Sequence, residues 1–277
     1  LSTQYGNLLL ELNQQGLRLR SDDQRDYDYG MVEKAPVANE LTLSLESGHC
    51  IISNDLLSVK IGYTPFTFEL IHLDLVESSN SSVCKSPTDG HFVRRHRVPP
   101  LAKTDDGWIL STDLKSNEAI YGLGEKWGAL NKRGQILRSY NSDALGVNAE
   151  VSYKNTPFAW SPEGWGLFCH TPSSVTHSVG HSSWSQRSYI SLIEDDTLDV
   201  FIFAASTQSE NKGADLIKAY TDLTGSAPMP PNWSGGVILS KAYYQDPAEM
   251  LAVAKEVRER DMPCDVITID GRAWQDT

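Results

Sequence analysis

Two stretches of this sequence put polar and aromatic side chains straight after an apolar run: Lys241-Ala242-Tyr243-Tyr244, and Asp270-Gly271-Arg272-Ala273-Trp274. The runs before them are Gly236-Val237-Ile238-Leu239 and Cys264 through Ile269. A carboxylate at such a position accepts hydrogen bonds from hydroxyls, and a charged acceptor makes the stronger bond. Aromatic rings beside it can pack on the C–H faces of a sugar, although core packing at a rim uses the same residue types. Asp270, Tyr243, Tyr244 and Trp274 are therefore candidates for a sugar-binding rim, with Arg272 expected to form an ion pair with Asp270.

Other chemistries find less support. Gly122-Leu123-Gly124 lacks the third glycine of a dinucleotide loop, since that position is Trp127, and no βαβ pattern surrounds it. Cys50, Cys84, Cys169 and Cys264 show neither CxxC spacing nor a histidine partner motif, and they read as free, mostly packed thiols. No metal or cofactor is expected. The formal charge of -12 argues against a nucleic-acid surface, and the Arg94-Arg95-His96-Arg97 run is an isolated basic cluster suited to a solvated strand end or loop. No uncharged apolar run reaches the roughly 18 residues of a membrane helix, so no membrane partner is expected. Asn-x-Ser sequons at Asn80 and Asn232 do not place the protein in a compartment. Leu1 opens without an initiator Met or a signal-like segment, and cytoplasm is the default location, with periplasm or secretion left open.

The elements that must hold the rim differ along the chain. From Leu8 to about Ile109 short alternations such as Leu41, Leu43, Leu45 and Leu57, Val59, Ile61 are divided by turn clusters, which predicts antiparallel β structure. The same texture runs through Gly166–Cys169, Tyr189–Leu192 and Leu198–Phe203 and predicts a sandwich. Asp215 begins a short helical pattern, and Pro228, Pro230 and Pro231 form a stiff connector. The domain boundary is drawn there: residues 1–227 form the β-sandwich and 228–277 a separate start.

Beyond the prolines, the run at 236–239 is apolar enough to be a strand covered on both faces. A helix follows, with Asp246 as N-cap, Pro247 in the first turn, Glu249 at capping-box spacing, and Met250, Val253, Ala254 and Val257 on its dry side. Strand, helix and strand of this length predict a βαβ unit with a parallel pair, whose ligands gather at the carboxyl ends of the strands.

Five ordered blocks resemble glycoside hydrolase family 31. They are Tyr121-Gly122-Leu123-Gly124-Glu125 with Leu130-Asn131-Lys132-Arg133-Gly134; Tyr140 through Asp143; Tyr153 through Phe158; Leu223-Thr224-Gly225 leading to Trp233; and Val266 through Asp270. The resemblance implies a mainly β protein: a galactose-mutarotase-like β-sandwich followed by the first βαβ unit of a (β/α)8 barrel. It also implies an exo-acting α-glycosidase that retains configuration, α-glucosides being the commonest substrate, with the remainder of the barrel as an expected partner. By that resemblance Asp270 accepts bonds from the terminal sugar, Asp143 lies on a sandwich loop shaping the subsites, and Tyr243 or Tyr244, the latter preferred, forms an aromatic wall. For Asp143 an Asx-turn is the competing use, and Glu125 with Arg133 is expected to pair structurally. The family's nucleophile block, Trp-x-Asp-x-x-Glu, does not occur within the 277 residues. No catalytic residue is assigned, and the chain by itself is expected to be inactive. A non-catalytic carbohydrate-binding or scaffolding sandwich is the alternative reading; the oligomeric state is not legible.

Overall fold

The computed structural model describes residues 1–21, 29–34, 39–73, 80–87, 98–144 and 151–270; the Arg94–Arg97 run, Arg272 and Trp274 lie outside them. The chain forms two compact units, Leu1–Gly225 and Ser226–Thr277.

The first unit contains three antiparallel sheets. Seven strands are ordered Ser2–Thr3, Gly6–Leu12, Gly16–Ser21, Asp199–Ala204, Trp165–Cys169, Asn155–Ser161 and Tyr121–Gly124. A second sheet orders Ile136–Ser139, Val175–Val179, Ser188–Ile193, Gly107–Asp113 and Leu101–Thr104, and a third runs as a meander from Thr42–Glu46 to Ser81–Lys85. One contiguous core joins them, with Leu17, Val59, Ile61, Trp108, Leu167 and Ile202 all buried in it.

The seven-stranded sheet is covered on both faces, which explains why Val200-Phe201-Ile202-Phe203 has no polar alternation. Val200 and Ile202 face the main core, while Phe201 and Phe203 join Phe158 and Phe168 beneath helix α1 (Lys212–Thr224). Leu216, Ala219 and Leu223 close that layer, and the Tyr220 ring stacks on Phe158 at 4.3 Å. Helix α1 starts three residues before the expected Asp215, capped by Asn211, whose side chain accepts from the Ala214 amide.

The Leu41, Leu43, Leu45 alternation does form a strand, and its register places Leu43 opposite Ile52 and Leu45 opposite Cys50. Those partners continue into the buried Val59 and Ile61, so the leucines lie on the core side of the sheet. They are nevertheless 63% and 72% exposed, because Thr42–Glu46 is the outermost strand and overhangs the core.

In the Gly122-Leu123-Gly124 turn all three residues have positive φ, between 68° and 99°. A Cβ on Gly122 would meet Phe158 O at 2.5 Å, and one on Gly124 would meet Lys154 O at 2.4 Å. The glycines thus permit a close backbone approach and a register shift against Asn155–Ser161.

In the second unit Ile238–Lys241 and Val266–Ile269 pair in parallel, Ile238 opposite Val266 and Lys241 opposite Ile269. Helix α2 (Pro247–Glu259) connects them in the expected βαβ order. The strand starts two residues later than expected because Val237 is held before it: its amide donates to Asp265 Oδ2 at 3.0 Å. The expectation of two covered faces is not met, since Ile238 is 50% and Ile269 43% exposed. One helix on a two-stranded sheet covers one face only.

Met250, Val253, Ala254 and Val257 form the less exposed side of helix α2, as its spacing predicts. Asp246 caps it, Oδ1 accepting from the Glu249 amide at 2.8 Å. The Glu249 carboxylate reaches one residue further back than a capping box, to the amide of Gln245 at 2.7 Å. Asp246→Ala is expected to cost about 1 kcal/mol, seen as a lower helical signal and earlier loss of the second unit in a urea titration; an unchanged transition would remove the cap from the account.

Candidate functional site

The carboxyl ends of the two parallel strands lie side by side, because Lys241 is in register with Ile269. Ala242 and Asp270 are the next residues on each strand, and Asp270 is exposed there. Tyr243 follows with its ring 51% exposed, whereas Tyr244 is buried, with the Lys241 ammonium 4.9 Å from its ring centroid. Lys241 also pairs with Glu249, and that bond together with the Gln245 amide holds the Glu249 carboxyl below its ordinary range. The rim is therefore built from a carboxylate, an accessible ring, and a second ring fixed by a tethered cation.

Asp143 belongs to the first unit, exposed on the segment after Ile136–Ser139. Its Oδ1 lies 2.6 Å from the Tyr153 hydroxyl, whose single proton also faces Ala144 O at 2.8 Å. The hydrogen bond to Asp143 raises the Tyr153 phenol above its usual value. Asn141 Oδ1 accepts from the Asn155 amide at 2.7 Å.

The expected Glu125–Arg133 pair is replaced by other contacts. Arg133 donates to Glu118 O at 3.1 Å and to Gln186 O at 2.9 Å, while Glu125 Oε2 accepts from the Tyr153 amide at 3.2 Å. Residue spacing on a loop does not determine side-chain direction, which is why the pairing was not legible. Trp127, Tyr140 and Tyr153 are each about half exposed, and of these Tyr153 is bonded to Asp143.

A cavity of about 550 Å³ on the sandwich is lined by Tyr29, Asp105, Asp106, Glu194, Asp195 and Asp196 among others, and contains none of the rim candidates.

Residues 11–177 match the glycosyl hydrolase 31 N-terminal galactose mutarotase-like domain, and residues 227–277 match the family 31 TIM-barrel domain. An alpha-xylosidase of Saccharolobus solfataricus is 30% identical over 76% of this chain and 28% of its own length. An alpha-glucosidase of Bacillus thermoamyloliquefaciens is 31% identical over 54% of this chain and 19% of its own length. Among solved structures, a Flavobacterium johnsoniae GH31 dextranase complexed with isomaltotriose aligns with a TM-score of 0.76 at 22% identity, covering 94% of this chain and 30% of the dextranase. A GH31 alpha-xylosidase from a soil metagenome, complexed with xylose, aligns at 0.72 and 20% identity, covering 97% and 40%. This chain thus spans roughly a fifth to two fifths of these proteins. With the first match alone spanning more than half of it, and the second falling on the βαβ unit, the chain belongs to glycoside hydrolase family 31.

Proposed function

We propose that this chain is the N-terminal part of a retaining, exo-acting α-glycosidase, and that Asp270 binds hydroxyls of the terminal sugar. The observation that supports the reading is the parallel strand pair, whose register ends at Lys241 and Ile269, so that Asp270 and the Tyr243-Tyr244 pair both follow its carboxyl ends. Tyr243 offers its accessible ring to a sugar face, and Tyr244 stands behind it. By the family resemblance we also assign Asp143 and Trp274 to substrate binding. The remainder of the barrel supplies the nucleophile and the acid/base, which retaining hydrolysis requires about 5–5.5 Å apart. The four buried free thiols support a reducing, cytoplasmic location.

The substrate we propose is an α-glucoside. An α-xyloside is the rival, favoured by relatives named alpha-xylosidase in Saccharolobus solfataricus and Lactiplantibacillus pentosus. In the enzyme with its complete barrel, p-nitrophenyl α-D-glucoside is expected to be cleaved with the higher kcat/KM of the two; the reverse ratio would reassign the substrate. Asp270→Ala is expected to lower kcat/KM about 10- to 100-fold, the loss of one charged hydrogen bond of roughly 1.5–3 kcal/mol. Unchanged efficiency would exclude Asp270 from the sugar site.

A further inference from the structure

The turn after the Gly122-Leu123-Gly124 bulge makes contact after contact with one short stretch, residues 151–155. The Glu125 amide donates to Lys154 O at 2.8 Å, Ser152 Oγ donates to Glu125 O at 2.7 Å, and Trp127 Nε1 donates to Val151 O at 3.1 Å. Lys126 lies between them. Its ammonium donates to Asn155 Oδ1 and, at 2.9 Å, to Arg138 O.

Asn155 connects this turn to the other flank of the Asp143 segment. Its Nδ2 faces Tyr140 O at 2.8 Å, Asn141 Oδ1 at 3.1 Å and Ser152 O at 2.9 Å, while its backbone amide reaches Asn141 Oδ1. Both flanks, 140–144 and 151–155, therefore meet at one side chain that a cation holds in place.

We propose that Lys126 and Asn155 form a clip that sets the position of the Asp143 carboxylate, acting as positioning residues for the sandwich's share of the sugar site. The proposal rests on the reading of Asp143 as a substrate contact, but the clip itself can be tested without it. Burial, and then the like charge of Lys132, pulls the Lys126 amine down to about 8, against the opposing pull of Glu125. A lysine depressed in this way is held charged near neutral pH at a cost to the native state. A lysine whose charge is costly to hold and whose ammonium yet bridges Asn155 Oδ1 and Arg138 O is placed for geometry.

The test is Lys126→Met in the 277-residue chain, with Lys126→Arg as the conservative control. In Lys126→Met, amide exchange at 140–144 and 151–155 is expected to quicken about tenfold or more, and the Tyr153 phenol to titrate closer to its ordinary value as its bond to Asp143 loosens. The urea midpoint should hold or rise, and Lys126→Arg should behave as the unaltered protein. Unchanged exchange and Tyr153 titration would overturn the clip, and so would a uniform quickening across the sandwich with a lowered midpoint.

In the enzyme with its complete barrel, Asp143→Ala and Lys126→Met are both expected to raise KM for p-nitrophenyl α-D-glucoside with kcat less affected. A raised KM in Asp143→Ala alone would overturn the clip. If Asp143→Ala leaves KM unchanged while Lys126→Met still frees the two flanks, the substrate role of Asp143 fails and the clip stands.

Discussion

The purified 277-residue chain, incubated with p-nitrophenyl α-D-glucoside or α-D-xyloside, is expected to release nitrophenol no faster than buffer. Retaining cleavage forms a covalent bond from a carboxylate to the anomeric carbon while a second carboxyl group protonates the leaving oxygen. The second unit offers Asp270 at its strand ends, but the nucleophile block characteristic of the family is absent from the sequence. In the proposed role Asp270 orients a sugar, and a single carboxylate cannot supply both halves of a double displacement. The enzyme with its complete barrel should be faster by at least about 10⁶-fold, the lower end of enzymatic rate enhancement. Turnover by the short chain at an enzyme-like rate, unaffected by further purification, would overturn the reading of the site.

Acid is expected to weaken the sandwich through His177. This side chain is fully buried, with Nδ1 2.7 Å from Tyr189 Oη and Nε2 3.1 Å from Ser139 Oγ. Burial pushes the Tyr189 phenol well up, so it stays protonated and donates to Nδ1, leaving Nε2–H to donate to Ser139. Burial, and then the positive charge of Lys126, pushes His177 down to about 3 from its ordinary 6.5. The unfolded chain therefore takes up a proton below pH 6.5 that the native chain refuses. The His177 contribution is complete above pH 6.5 and falls as pH drops toward 3, at about 1.4 kcal/mol per pH unit, or roughly 3 kcal/mol by pH 4. Urea titrations at pH 7 and pH 4 should show this loss. His177→Gln, neutral throughout, should start lower at pH 7 and lose less on acidification. Equal losses in the two proteins would show that His177 does not drive the acid response.

Where a local rule governed the outcome, the sequence was a good guide. Asp246 and Pro247 start helix α2 because an N-cap and a first-turn proline act within four residues, and Met250, Val253, Ala254 and Val257 follow from helical period alone. That Asp270 and Tyr243 follow the two parallel strands was legible because strand ends are marked by a change of side-chain chemistry. Helix α1 was placed late because a glycine in its first turn carries no helical signal; in the fold Gly213 lies against Trp160, where a Cβ would meet the indole at 2.8 Å. The exposed Leu43 and Leu45 could not be foreseen, because alternation reports which face a residue takes and not where the opposing layer ends. The Lys126–Asn155 clip was the least legible, as its partners lie 29 positions apart and meet only through the Gly122–Gly124 bulge.

The neighbour of Gly16–Ser21 in the seven-stranded sheet is Asp199–Ala204, and Arg18 is clasped by Asp199, 181 positions away, at 2.6 and 2.8 Å. A nascent chain made at roughly 5–20 residues per second keeps that opening hairpin waiting about 10 to 40 s for its neighbour. Until Asp199–Ala204 is made, Gly16–Ser21 lacks its neighbour on that side of the sheet, and a hairpin short of strand partners is marginal in water. The seven-stranded sheet is thus completed late, and the hairpin of Gly6–Leu12 and Gly16–Ser21 needs shelter until Asp199–Ala204 emerges.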